Sequence, residues 1–175
     1  MNRTVLFFAL LVILSGFAIT GCEQEKKTAK AVSLTVIKKY AQTTTLEGVI
    51  SDNKGVIKSG RVEATNEDGR LITHAAVDNG HYRIEIPVNT ALPILLTFSS
   101  ESGAEKLIAV VIHDSITKYE INPSTTAIAK AAKAMGGYTH ANMIRAAAET
   151  VHTPDTNKTT TGWRGDPTTQ YGGWH

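Results

Sequence analysis

The sequence predicts a mainly β fold, a seven-stranded β-sandwich followed by a short α-helical pair and a flexible C-terminal tail, and three observations carry that expectation. Tyr82, Ile84 and Ile86 alternate with His81, Arg83 and Glu85, the two-residue period of a strand with one buried face. Turn clusters that end in glycine, Asp52-Asn53-Lys54-Gly55, Glu67-Asp68-Gly69 and Asp78-Asn79-Gly80, punctuate the short apolar runs. Beyond Asn122 the apolar spacing changes to the three-and-four interval of a helix.

Composition bounds the rest. Of 175 residues 42% are hydrophobic and 19% charged, a globular balance that argues against a collagen-like, mucin-like or wholly disordered chain. A formal net charge of +2 with scattered basic residues gives no electrostatic case for a nucleic-acid partner. The single cysteine leaves no intramolecular disulfide and no cysteine-rich metal site.

The N-terminal 21 residues read as an export signal: Arg3 supplies a positive start, and residues 5–19 are apolar apart from Ser15 and Gly16. As a helix that run reaches roughly 22 Å, short of the roughly 30 Å hydrocarbon core, so it suits a signal better than a permanent span. It ends in Ile19-Thr20-Gly21-Cys22, which resembles the lipobox of bacterial lipoproteins. The resemblance implies acylation of Cys22, which becomes the new N-terminus, and a partner in the membrane through that lipid anchor. Two or more acyl chains anchor stably because each buried CH₂ contributes about 0.8 kcal/mol. Residues 22–42 then form a tether, opening with the polar Glu23-Gln24-Glu25-Lys26-Lys27. Glu23, in place of an aspartate after the cysteine, is in enteric lipoproteins compatible with passage to the outer membrane, and a bacterial outer-membrane location is expected on that basis.

Residues 43–121 hold the expected strands, at 43–50, 60–66, 70–77, 81–87, 93–99, 106–113 and 117–121. Turn signals at such short intervals argue for a sandwich. Residues 107–112 are continuously apolar, which predicts a central strand covered on both faces. Residues 32–37 also alternate and are expected to add an edge strand.

Leu46-Glu47-Gly48-Val49-Ile50-Ser51-Asp52, Asn53-Lys54-Gly55, Gly60-Arg61-Val62-Glu63-Ala64 and the run from Asp78-Asn79-Gly80-His81-Tyr82 to Pro87 together resemble the carboxypeptidase regulatory-like domain, a transthyretin- or prealbumin-like sandwich. The resemblance spans residues 43–121 and departs from the family at Lys58-Ser59, where a proline is common. It implies an accessory or surface module without chemistry of its own, hence a scaffold and not a peptidase.

Residues 122–152 read as two helices. In the first, capped by Ser124, the positions Ala127, Ile128, Ala131, Ala132 and Met135 recur at helical spacing until Gly136-Gly137 ends it. The second, residues 140–151, places Ala141, Ile144, Ala147, Ala148 and Val151 on one side. Such small-residue stripes are expected to pack closely on the sandwich; the competing use is docking on another protein. Pro123-Ser124-Thr125-Thr126 makes a threonine-rich passage into the first helix.

In the tail, residues 153–175, a polar threonine-rich stretch leads to Gly162-Trp163-Arg164-Gly165-Asp166-Pro167 and Gln170-Tyr171-Gly172-Gly173-Trp174-His175. Both tryptophans of the chain lie here, and aromatic side chains bring large contact area at low rotamer cost. Trp163, Arg164, Tyr171, Trp174 and His175 are therefore the candidate partner-binding residues, with folding of the tryptophans back onto the same chain as the competing outcome.

Signatures of catalysis are wanting. There is no G-x-S-x-G elbow, H-E-x-x-H, P-loop or C-x-x-C-H, and Ser99-Ser100-Glu101-Ser102-Gly103 reads as a turn. The six histidines, at 74, 81, 113, 140, 152 and 175, show no helical metal-ligand pair, although His74 and His81 can approach across neighbouring strands. His175 offers an imidazole and a terminal carboxylate together, a route to metal or haem. The expected function is thus a non-catalytic, envelope-anchored interaction module needing no cofactor and meeting an envelope or surface protein. Carbohydrate or peptide binding, and metal or haem service through His175, are the alternatives.

Overall fold

The structure is a computed structural model that describes residues 37–101, 103, 106–151 and 169–171. The fold is mainly β: strands β1 (Thr44–Val49), β2 (Ser51–Asp52), β3 (Gly55–Val56), β4 (Ser59–Thr65), β5 (Leu71–Asp78), β6 (His81–Ile86), β7 (Ile94–Ser99) and β8 (Lys106–Val111) precede helices α1 (Pro123–Ala134) and α2 (His140–Val151). A 3₁₀ turn at Thr169–Tyr171 follows. Six strands form an antiparallel sheet in the order β1-β6-β5-β4-β7-β8, and β2 and β3 make a separate hairpin.

Local chemistry accounts for the turns. Asp52 accepts from the backbone N–H of Lys54 (2.7 Å) and Gly55 (2.9 Å), an Asx turn that closes the β2–β3 hairpin. Asn66 does the same for Arg70 (2.7 Å) between β4 and β5. At the β5–β6 hairpin Asn79 and Gly80 both take positive φ, 49° and 83°, as a two-residue turn matched to strand twist requires. Pairing of β5 with β6 extends only through Val77↔Tyr82 and Asp78↔His81, so the strands part beyond their turn and the sheet curls. Because that pairing stops short of His74, His74 and His81 are not brought together as cross-strand neighbours: His74 sits opposite Glu63 and His81 opposite Asp78.

The curl encloses one core. Leu46, Val62, Ala64, Tyr82, Ile84, Ile86, Ile94, Leu96, Phe98, Leu107, Ala109 and Val111 meet inside it, with Tyr119 and Ile121 from the chain after β8. The alternation read in β6 holds residue for residue, Tyr82, Ile84 and Ile86 buried and the three between them exposed. A second cluster lies on the other side of β8, where Val110 and Ile112 meet Ile128, Ala129 and Ala132 of α1, and Met143, Ala146 and Ala147 of α2.

Strand β8 is therefore apolar on both faces, as its unbroken run predicts, yet it is not central. It ends the sheet, and its second face is covered by helices. The outward backbone of this edge is taken up by side chains. Ile108 N–H donates to Thr126 Oγ1 (2.8 Å), Thr125 Oγ1 donates to the Ile108 carbonyl (2.9 Å), and Val110 N–H donates to Tyr171 Oη (3.4 Å). The threonine-rich passage thus supplies the hydroxyls that block an exposed edge from pairing with another chain. The opposite edge, β1, is covered by residues 117–121, which run parallel to it through Glu47 N–H to Thr117 O (2.9 Å), Tyr119 N–H to Glu47 O (2.9 Å) and Ile121 N–H to Val49 O (3.0 Å).

Two helical details differ from expectation. The N-cap of α1 is Asn122, whose side chain accepts from Thr125 N–H while the Thr125 hydroxyl receives Asn122 N–H; Ser124 is instead buried in the first turn behind Pro123. In α2 the inward stripe is Met143, Ala146, Ala147 and Thr150, one step around the helix from the expected one, and Ala141 and Ala148 are exposed. Alanine spacing alone cannot choose between adjacent stripes in an alanine-rich helix, so the larger Met143 sets the rotation. Among the described residues no helix is long and apolar enough to cross a membrane. Of the expected edge strand at 32–37 only Ile37 is described, exposed and not in a strand, and the signal and residues 22–36 of the expected tether lie outside the described residues. The last part of that tether belongs instead to the folded body: Lys39 bridges Ala91, and Tyr40 is buried in the core, its N–H donating to the Thr90 carbonyl at 3.1 Å.

Candidate functional site

Two clefts gather the chemistry. The larger, about 1050 Å³, opens between β1, β6 and the 116–122 passage. Tyr82 and Tyr119 line it together with Glu47, Arg83, Asp78 and Lys118. Glu47 and Arg83 face each other across β1 and β6 and form an ion pair at 3.1 Å, largely exposed and so weakly stabilising. Tyr82 is buried, and its hydroxyl donates to the Tyr119 carbonyl at 2.6 Å, fastening the passage to the sheet. Gln170 closes one end: its Oε1 accepts from Glu120 N–H at 3.0 Å.

The second cleft, about 830 Å³, lies beside the α1–α2 turn and is lined in part by His113, His140, Tyr138, Lys38, Glu67 and Asp68. His113 lies two residues past the end of β8, and His140 opens α2, whose start is set by Thr139: its hydroxyl accepts Asn142 N–H (3.2 Å) and its carbonyl accepts Met143 N–H (2.9 Å). The two imidazoles meet edge to face, centroids 4.9 Å apart at 81°. Burial pushes the His113 pKa below the ordinary 6.5, helped by the neighbouring His140 and Lys38 and opposed by Asp114 and a hydrogen bond to the Tyr171 backbone. Sequence spacing could not find this pair, since the two histidines are brought together only by the packing of α2 beside the end of β8. Among the described residues no group of three or more histidine, cysteine, aspartate or glutamate side chains is gathered for a metal.

All five tyrosines titrate above the ordinary 10.0, in each case chiefly because burial disfavours the phenolate. Tyr40 and Tyr171 are pushed up to about 12. A raised folded-state pKa contributes stability that is complete below the unfolded value of about 10 and lost as pH climbs through the folded one. Absorbance titration near 295 nm is accordingly expected to show almost no phenolate up to pH ~10, then a steep rise that coincides with unfolding followed by circular dichroism. Ionisation of several tyrosines well before the unfolding transition would contradict the burial.

Of the residues proposed from sequence for partner binding, only Tyr171 is described. It is fully buried against the second core cluster, with its hydroxyl on the β8 edge, so this residue is part of the chain's own interior and is not presented to a partner. Trp163, Arg164, Trp174 and His175 lie outside the described residues, as does the lipid-attachment candidate Cys22. The signal for Tyr171 was present in its isolation among polar and glycine neighbours, which fits a single anchoring side chain as well as a free binding peptide. No protein-family model matches this chain, and no curated protein matches it.

Proposed function

We propose that the protein is a bacterial envelope lipoprotein, held to the outer membrane through Cys22, whose folded body serves as a non-catalytic interaction module. The observation that carries this is Ile19-Thr20-Gly21-Cys22 placed directly after an apolar signal-like run, with the only cysteine of the chain at the acceptor position. In the finer reading of the fold the curled sheet is a seven-stranded prealbumin-like sandwich, in which residues 117–121 act as the last strand beside β1. The early parting of β5 and β6 supports it, because two layers then face one core. Tethering raises the local concentration of the module near an envelope or surface protein. With Gln170 and Tyr171 seated on the body, Trp163, Arg164, Trp174 and His175 remain the candidate contact residues, the two tryptophans foremost for their contact area.

The test is the mass and N-terminal residue of protein isolated from native membranes. The expected chain begins at Cys22 and carries attached acyl chains, and Cys22→Ser leaves the membrane fraction. A native chain that starts elsewhere or lacks lipid overturns the anchoring. For the partner, Trp163→Ala combined with Trp174→Ala is expected to abolish co-purification from native membranes while leaving the thermal transition in place.

A further inference from the structure

We propose that His113 and His140 form a two-imidazole binding site for a late first-row divalent cation such as Zn²⁺ or Ni²⁺. The carrying observation is His113 Nε2, a buried nitrogen with no hydrogen-bond partner among the described residues, in a ring set edge to face against the imidazole of His140 with centroids 4.9 Å apart. Buried polar atoms in folded proteins almost always find a partner, so one left open asks what fills it. The other nitrogen is engaged: since Nε2 is free, the hydrogen bond to the Tyr171 backbone is made by Nδ1, donating to the carbonyl. That arrangement fixes the tautomer with the lone pair on Nε2, as the outer hydrogen bond of a metal-bound histidine does.

Its protonation state also fits. Burial, then His140 and Lys38, lower the His113 pKa against Asp114 and the Tyr171 backbone, a direction that favours the neutral imidazole a metal ion binds. His140 is exposed on the first turn of α2, so its side chain can turn to bring a second nitrogen to the same ion without disturbing the core. Imidazole favours zinc, nickel and copper over magnesium or calcium. Glu67 and Asp68, on the β4–β5 turn, line the same cleft and offset the ion's charge, against Lys38 on its rim; water completes the coordination. The site joins the end of β8, the start of α2 and the 169–171 turn, so an occupied site braces the helical layer against the sheet.

The experiment titrates ZnCl₂, and separately NiCl₂, into detergent-solubilised full-length protein at pH 7.5, following heat and the histidine ring resonances. One ion per chain is expected, with both the His113 and His140 ring signals shifting at the first equivalent and the thermal midpoint rising. His140→Ala, which touches an exposed side chain, is expected to weaken binding at least ~10-fold while keeping the metal-free midpoint. The ring signals of the wild-type protein report on His113 without a substitution there. Undiminished binding in His140→Ala, binding lost in His175→Ala but kept in His140→Ala, or no saturable binding would each overturn the proposal.

Discussion

Tyr171→Ala is expected to destabilise the folded body by about 3–5 kcal/mol, the usual cost of emptying a large aromatic side chain from a core. Tyr171 is completely buried, in contact with the cluster that joins β8 to both helices, and it comes from a stretch of chain more than fifty residues beyond β8. Its removal leaves a cavity between sheet and helices and strips the Val110 N–H of its acceptor. The two losses separate: Tyr171→Phe keeps the ring and loses the hydroxyl's bonds, the long 3.4 Å one from Val110 N–H and one with the Gln170 side chain, for which about 1–2 kcal/mol is expected. Urea denaturation read by circular dichroism checks both. Deleting residues 162–175 is expected to cost at least as much as Tyr171→Ala, because Gln170 leaves with it. A truncation that lowers stability therefore cannot test partner binding, which is why the tryptophan double substitution is the cleaner probe. If the truncated chain unfolds at the wild-type denaturant concentration, the placement of Tyr171 is wrong.

Gly48→Ala is expected to rank with it, at about 3 kcal/mol or more. Gly48 lies in β1 opposite Tyr82, and a Cβ there would overlap the Tyr119 carbonyl lying against it. The demand is for close approach, not for an unusual backbone angle. To admit one methyl group, residues 117–121 must shift away from β1, straining the Glu47, Tyr119 and Ile121 backbone bonds and the Tyr82 hydroxyl bond to Tyr119. Overpacking of a tight site typically costs ~1–3 kcal/mol, and lost hydrogen bonds add to that. Tyr82→Phe is the comparison: it loses the 2.6 Å bond alone, for about 1–2 kcal/mol, and leaves the strand in place. The double variant should lose less than the sum of the two single losses, since Gly48→Ala has already displaced the Tyr119 carbonyl. Full additivity would mean that the passage does not move. Gly48→Ala should also loosen the larger cleft, which is bounded by this passage.

Much of the β architecture was legible in the amino-acid order because its determinants are local. Asp52, Asn66 and the Asn79-Gly80 pair write the turns, and the period of residues 81–86 writes a half-buried strand; both act over a few residues and survive in the folded chain. The capping residue of α1 and the rotation of α2 were less legible. Asn122 and Ser124 are equally good caps by residue type; what selects Asn122 is Pro123 at the first helical position and Thr125 completing the capping box, a pattern of neighbours and not a single residue. An unbroken apolar run such as residues 107–112 reports that two faces are covered, but not whether strands or helices do the covering.

The sequence by itself determined where turns fall, which face of β6 is buried and that helices follow strands, and it holds the lipobox-like Ile19-Thr20-Gly21-Cys22 on which the proposed anchoring rests. Tertiary structure decided that β8 is an edge sealed by Thr125, Thr126 and Tyr171, that residues 117–121 return to lie along β1, and that His113 meets His140. Those contacts join residues distant in the chain, and their pairing is chosen by which arrangement leaves the fewest buried N–H and C=O groups without partners, a quantity that exists only once the whole body is packed.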